Sequence, residues 1–191
     1  MSATGRHANY EINPVFVERW SPRAFSEHSM SEADMMTLFE AARWSPSASN
    51  LQPWRFVYAL KGTAEFDNLV SALVEFNQGW AKNASALVYL VSVKHTDPAR
   101  PHTHHSFDTG AAWMSLALQA HHMGLIAHGM AGLDYVKGAE LIGLPDNMKL
   151  EAAIAIGKQG DKDSLPDFLK EREAPSERHA LDMLVFKGKL G

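Results

Sequence analysis

Arg19, Ser21 and Arg23 set two guanidiniums and a hydroxyl at i, i+2 and i+4. That spacing suits a phosphate, because arginine donates in a planar fork that matches its oxygens; the bland alternative is a solvated surface pair. A second polar cluster runs from Ala42 to Phe56, Ala-Arg-Trp-Ser-Pro-Ser-Ala-Ser-Asn-Leu-Gln-Pro-Trp-Arg-Phe. Ser45, Ser47, Ser49, Asn50 and Gln52 offer donors and acceptors in quick succession, while Pro46 and Pro53 stiffen the segment and hold back helix propagation. This predicts a binding loop carried on rigid elements, although an ordinary Ser/Pro/Asn connection uses the same residue types. His102, His104 and His105 form a third cluster. Histidine is the commonest metal ligand type, but no carboxylate or cysteine stands at ligand spacing in that loop, which reads better as a solvated border of a substrate pocket. No Ser-His-Asp spacing or paired-carboxylate pattern marks a side-chain nucleophile or general base, so no catalytic side chain is named.

The rest of the composition narrows the chemistry. The 191 residues contain no cysteine, which rules out a disulfide framework, a zinc-thiolate site and thiol redox chemistry. Electron transfer would therefore fall to a bound cofactor. A net charge of -4, with no lysine and arginine stripe, argues against nucleic acid as a partner. Met1 to Tyr10 lacks the apolar core of a signal peptide, and no apolar stretch approaches the ~20 residues of a membrane-spanning helix, so no membrane partner and a cytoplasmic location are expected. No Gly-x-Gly-x-x-Gly follows a strand, which leaves nicotinamide without a dedicated dinucleotide fold.

Elements that could position these residues are written in the hydrophobic pattern. Residues 1–14 are polar and aperiodic, an arm that is mobile or ordered only by packing on something else. Ser29-Met30-Ser31-Glu32 offers a capping-box start, followed by Met35, Leu38, Phe39 and Ala42 along one helix face. Trp54 to Leu60 alternates as a strand. A second helix is predicted from Ala64 to about Asn77, with Phe66, Leu69, Val70, Leu73 and Phe76 on one side and a break at Asn77 to Trp80. Ala86 to Val93 is continuously apolar and belongs in the middle of a sheet, buried on both faces. Phe107 to Met123 is apolar almost all round, a helix buried in this chain or against a partner subunit, closed by Gly124. Leu125 to Leu133 reads as a strand ending in small residues, Tyr135 to Ile142 as a helix, and Leu150 to Ile156 as a last strand. Past Gly157 the composition turns polar. The expected division is an arm at 1–14, one α+β domain at 15–160 and an extension at 161–191.

Pro46-Ser47-x-x-Asn50-x-Gln52-Pro53-Trp54 resembles the Pro-Ser-x-x-Asn-x-Gln-Pro-Trp signature of the nitroreductase superfamily, dimeric flavin-dependent reductases. Arg19-x-Ser21-x-Arg23 is similar to that family's segment near the N-terminus, and Glu140-Leu-Ile-Gly-Leu-Pro to its Glu-Leu-Leu-Gly-Leu-Pro stretch. The resemblance implies a nitroreductase-like sandwich, a mainly antiparallel sheet flanked by helices, in an intertwined homodimer with FMN at its interface. It implies that the extension at 161–191 wraps the partner subunit and that Arg19, Ser21, Arg23 and a late arginine, Arg178, hold the phosphate and ribityl chain. Pro46, Ser47, Ala48, Ser49, Asn50 and Gln52 would come from the other subunit, and Met130, Ala131 and Gly132 would offer main-chain contact, where the plain alternative is a turn. The family often reaches the flavin with an amide and a lysine near Asn77, but Trp80 stands where the lysine would align. NADPH or NADH would donate hydride and a small-molecule acceptor, nitroaromatic or quinone, would take it in a ping-pong cycle. The alternative is a protein that binds flavin to store or sense it, and a further one is a helical interaction protein with no cofactor.

Overall fold

The computed structural model describes residues 4–190. Among them, β1 (Trp54–Leu60), β2 (Ala86–Val93), β3 (Ile126–Met130) and β4 (Met148–Gly157) form one antiparallel sheet in the order β1-β2-β4-β3. The unbroken apolar run puts β2 at the centre, where every one of its residues is buried. Its side chains alternate between two cores. Leu87, Tyr89 and Val91 meet Phe66, Leu69, Trp80 and Ala153 on one face; Ala86, Val88 and Leu90 meet Met35, Leu38, Ala112, Leu116 and Ile154 on the other. A register shift at Leu90/Val91 leaves Glu151 of β4 out of the ladder and turns its carboxylate toward Ser92 Oγ and Ser106 Oγ, each at 2.6 Å.

The helices cover both faces. α1 (Val15–Glu18) and α2 (Glu32–Arg43) precede the sheet, and α3 (Ala64–Ser71) and α4 (Glu75–Ala81) lie between β1 and β2. α5 (His105–His122), α6 (Tyr135–Leu141) and α7 (Asp167–Lys170) complete the set. The capping box of α2 pairs Ser31 with Asp34, two residues beyond the expected Ser29 start, with Ser31 N donating to Asp34 Oδ2 at 2.8 Å and Asp34 N to Ser31 Oγ at 3.2 Å.

The single helix expected from Ala64 to Asn77 is two helices. At Ala72–Val74 the chain leaves the helix to pair with the segment after β3: Leu73 bridges Leu133, Val74 N donates to Gly132 O at 3.1 Å, and Asp134 N donates to Ala72 O at 2.8 Å. These tertiary bonds replace the local ones that would have carried α3 onward. Asn77 to Trp80 therefore lies inside α4 rather than ending a helix. Trp80 is buried against Phe25 and His128, while Phe76 packs on Phe168 and remains 41% exposed.

α5 starts at His105, so that histidine belongs to the helix and not to the loop before it. Asp108, Ala112, Leu116 and Ala120 form its buried stripe, whereas Phe107 is 79% exposed and Met114 38%. The helix that reads as apolar all round is thus half covered in this chain. Its other side leaves Phe107 and Met114 exposed among the described residues. Parts of both terminal segments pack on the domain, although residues 176–190 are exposed. Thr4 Oγ1 donates to Val17 O at 3.1 Å and Arg6 is buried, so the arm packs on the region of α1. Beyond Gly157, Leu165 and Leu169 seal into the first core. Among the described residues no helix is long and apolar enough to cross a membrane.

Candidate functional site

Once α1 ends, the backbone of Arg19 is extended and carries Arg19, Ser21 and Arg23 along the surface below β3. Arg19 Nη1 reaches Ser21 Oγ at 3.4 Å. The two arginines differ in their company. Glu173, buried at 8% exposure, accepts the backbone N-H groups of Arg23 at 2.6 Å and Ala24 at 2.9 Å, and its second oxygen lies 3.7 Å from Arg23 Nη1. Arg23 is therefore charge-compensated, although its Nε is buried without a hydrogen bond. Arg19 has no carboxylate within ion-pair distance among the described residues. Burial and then the nearby charges of Arg6 and Arg178 lower its pKa. Arg6 Nη2 donates to the Arg19 carbonyl at 2.9 Å. Among the described residues, the exposed Arg178 donates only to its neighbours Ser176 and Glu177. The structure thus gathers Arg6, Arg19 and Arg178 into one positive corner. A cavity of about 480 Å³ adjoins it, lined by Arg19, Trp20, Ala117, His121, Ile126 and Gln159 among others.

The loop from Pro46 to Gln52 has an unusual backbone. Ser49, Asn50 and Gln52 all lie in the left-handed region, with φ of 49°, 55° and 48°. Asparagine tolerates this region better than serine or glutamine, and each such residue costs on the order of 1 kcal/mol or more unless its surroundings enforce it. Three anchors do so. Ala48 N donates to the buried Asp108 Oδ2 at 3.0 Å, Gln52 N to Ser47 Oγ at 3.0 Å, and Ser45 Oγ shares a hydrogen bond with Ser115 Oγ at 2.7 Å. Ser49 and Asn50 stay exposed, and their side chains make no hydrogen bonds among the described residues. The strained, anchored backbone thus leaves the Ser49 and Asn50 side chains available to a ligand. Asp108 escaped sequence reading because it looks like a stray acid in an apolar helix.

At the end of β3, Met130 is buried, Ala131 exposed and Gly132 partly covered. Gly132 O accepts from Val74 N and, at 3.0 Å, from Asn77 Nδ2. A Cβ on Gly132 would lie 2.5 Å from Asn77 Nδ2 and 2.9 Å from Val74 Cγ2, so the glycine makes room for that amide. Sequence reading also missed His128. Its Nδ1 lies 3.0 Å from Pro22 O, and its ring packs on Trp80 with centroids 4.7 Å apart. Burial, against the help of that hydrogen bond, pushes its pKa down to about 4. The neutral ring thus donates Nδ1-H to the carbonyl between Ser21 and Arg23, tying the arginine segment to the sheet.

These groups do not converge within one chain. The arginine corner meets the C-terminal end of α5, where His121 Nε2 lies 3.8 Å from Glu18 Oε2, while the loop is anchored at Asp108. Those two positions are thirteen residues apart on α5, roughly 20 Å at the rise of an α-helix. The histidine cluster disperses: His105 Nδ1 pairs with Ser92 Oγ at 2.8 Å, and His102 Nδ1 is buried without a partner. Among the described residues no group of three or more histidine, cysteine or acidic side chains is placed to hold a metal ion.

Comparison with known proteins identifies the family and the fold. The sequence pattern described as the nitroreductase family matches residues 16–78 and 59–158. A protein of Mycolicibacterium smegmatis, described as an uncharacterized 15.4 kDa protein in the ask 5' region, is 35% identical over 123 residues, 64% of this chain and 82% of that one. The oxygen-insensitive NADPH nitroreductase of Helicobacter acinonychis is 37% identical over 78 residues, 40% of this chain and 36% of that enzyme. A solved structure described as an oxidoreductase containing FMN superposes with a TM-score of 0.96 at 46% identity, covering 100% of this chain and 98% of that one.

Proposed function

The chain belongs to the nitroreductase family, and on that premise we propose that it is an FMN-dependent oxidoreductase working as a homodimer. In this reading NADH or NADPH donates hydride and a nitroaromatic, quinone or related conjugated acceptor receives it. The observation that carries the reading is the end-to-end likeness, at 46% identity, to a structure described as containing FMN.

The residues of this chain suit that cofactor. Arg19, with Ser21, offers guanidinium and hydroxyl donors to a phosphate beside a hollow of about 480 Å³, and Arg178 lines a second hollow of about 570 Å³. Arg23 has a buried Nε without a hydrogen bond, and Asn77 and the exposed Ala131 lie at the end of β3. Ser47, Ser49, Asn50 and Gln52 of a second copy would complete the site, since one chain holds the two halves about 20 Å apart along α5. When bound, FMN supplies the redox chemistry, alternating between nicotinamide and acceptor in a ping-pong cycle. The protein's part is to clasp the phosphate, to present amide and hydroxyl groups from a backbone already fixed, and to hold the arginine segment on the sheet through His128 at the Pro22 carbonyl.

The test is reconstitution with FMN followed by anaerobic addition of NADH or NADPH. The yellow colour is expected to bleach and to return on adding a nitroaromatic or a quinone. Protein that stays colourless with FMN overturns the reading. Protein that turns yellow but is not bleached by either nucleotide points to flavin storage or sensing instead.

A further inference from the structure

The N-terminal arm carries an arginine whose position surface chemistry does not explain. Arg6 is 7% exposed and is the one lysine or arginine among the described residues that counts as buried. Its Nη2 donates to Arg19 O at 2.9 Å and its Nε to Thr4 Oγ1 at 3.4 Å. Both acceptors are neutral. Among the described residues no carboxylate lies within 4 Å of it, whereas Arg23, Arg43, Lys61, Lys149 and Lys170 each have one. Arg6 and Arg178 line the same hollow, of about 570 Å³, and Arg6 is bonded to the main chain of Arg19 itself. Covering a guanidinium that has no carboxylate in ion-pair contact is unfavourable. Here it is done beside two like charges, whose repulsion adds to that cost. Burial first, and then the charge of Arg178, lower the pKa of Arg6, with only Glu177 pulling the other way. Such a cluster is stabilised when a doubly charged anion sits among its members.

We propose that Arg6 is a third guanidinium of the phosphate-binding set, so that the N-terminal arm is part of the cofactor site. The inference rests on the FMN reading above. It adds a residue that lies in no motif and in an arm whose composition reads as a loose tail. The mechanism is direct: a third cation stabilises the dianionic phosphate end of FMN and has no bearing on the ring, so its contribution disappears when the phosphate does.

The experiment compares FMN with riboflavin, which has the same ring and ribityl chain but no phosphate. Flavin-free wild type, Arg6→Gln and Arg6→Lys, each checked for native circular dichroism, are titrated with both ligands by flavin fluorescence. Glutamine keeps a donor for the Arg19 carbonyl and removes the charge. Arg6→Gln is expected to raise the Kd for FMN by roughly 10- to 30-fold and to leave riboflavin within about twofold, the range of a charge-assisted hydrogen bond. Arg6→Lys keeps the cation and should stay within about fivefold of wild type for FMN. Unchanged FMN affinity in Arg6→Gln refutes the proposal, and so does equal weakening toward FMN and riboflavin, which would mark a structural role. A second variant covers misfolding of Arg6→Gln. Glu177→Gln alters only an exposed side chain and removes an opposing charge beside Arg6, so FMN should tighten by about twofold with riboflavin unmoved; no FMN-specific change refutes the proposal. If wild type binds neither flavin, the FMN reading itself fails, a result distinct from loss confined to the variants.

Discussion

Replacing Glu173 tests how the arginine segment is held. Its carboxylate caps two consecutive backbone amides, Arg23 N at 2.6 Å and Ala24 N at 2.9 Å, and lies 3.7 Å from the Arg23 guanidinium. Glu173→Ala leaves those amides and a largely covered guanidinium without their partner. Breaking a buried charge pair costs about 3–5 kcal/mol when both groups are dry. Arg23 is 22% exposed and the pair is long, so the ionic part belongs below that range. The two charge-assisted amide bonds bring the total back to about 3 kcal/mol. At this chain length that corresponds to a fall in Tm of roughly 6–12 °C, measured at fixed protein concentration so that association does not shift the midpoint. Glu173→Gln keeps one acceptor oxygen and should lose about half as much. FMN affinity should fall in parallel, because the same carboxylate joins the tail bearing Arg178 to the segment bearing Arg19. A Glu173→Ala protein that melts within about 2 °C of wild type would show that the tail adds nothing to the segment's order, and the reasoning would be wrong.

Gly132→Ala should destabilise by about 1–3 kcal/mol, because its Cβ would lie 2.5 Å from Asn77 Nδ2 and 2.9 Å from Val74 Cγ2. Adding Asn77→Ala should recover part of the loss in a double-mutant thermal melt, and strict additivity would refute the steric account. His128 predicts a pH dependence whose sign follows from its depressed pKa, about 4 folded against 6.5 unfolded. Between those values the unfolded chain binds the extra proton, so the stabilisation is full above 6.5 and is lost as the pH falls through about 4. The window is worth on the order of 2 kcal/mol for a ring that keeps some contact with solvent. It should appear as a narrowing gap in stability between wild type and His128→Gln as the pH drops; a gap independent of pH would refute it.

Apolar patterning carried the elements whose neighbours in sequence are also their reason. β1 and β2 begin and end where alternation and the apolar run place them, at Trp54–Leu60 and Ala86–Val93. The pattern failed where a distant backbone intervened. Nothing local stops α3 at Ser71; the pairing of Leu73 with Leu133, sixty residues later, does. The candidate site divides in the same way. Motifs marked Arg19, Arg23 and the Ser47–Gln52 stretch, but two arginines that look alike in sequence separate once Glu173 takes Arg23 and leaves Arg19 to Arg6 and Arg178. The left-handed backbone of Ser49, Asn50 and Gln52 was not legible, since it is imposed partly by Asp108 across sixty residues. Arg6 and His128 carry no periodicity at all. Their meaning lies in what they touch.

On the proposed reading, the separation of the arginine corner from the serine and amide loop bears on why a second copy would be needed. α5 separates the arginine corner from the serine and amide loop along its own length, and no side-chain motion closes a distance of roughly 20 Å. The same helix exposes Phe107 and Met114, and α2 beside it exposes Met36 and, just past its end, Trp44, which is 75% exposed. Apolar area of that kind on two adjacent helices is unfavourable in water and is lost from solvent when like faces meet. A two-fold axis across α5 would bury that face and, by the same operation, carry the loop of one copy toward the arginines of the other. The buried stripe of α5 builds the core of its own chain, and its exposed face, on the dimer proposal, completes the site. Packing at Phe107 and cofactor affinity at Arg19 would then depend on the same contact.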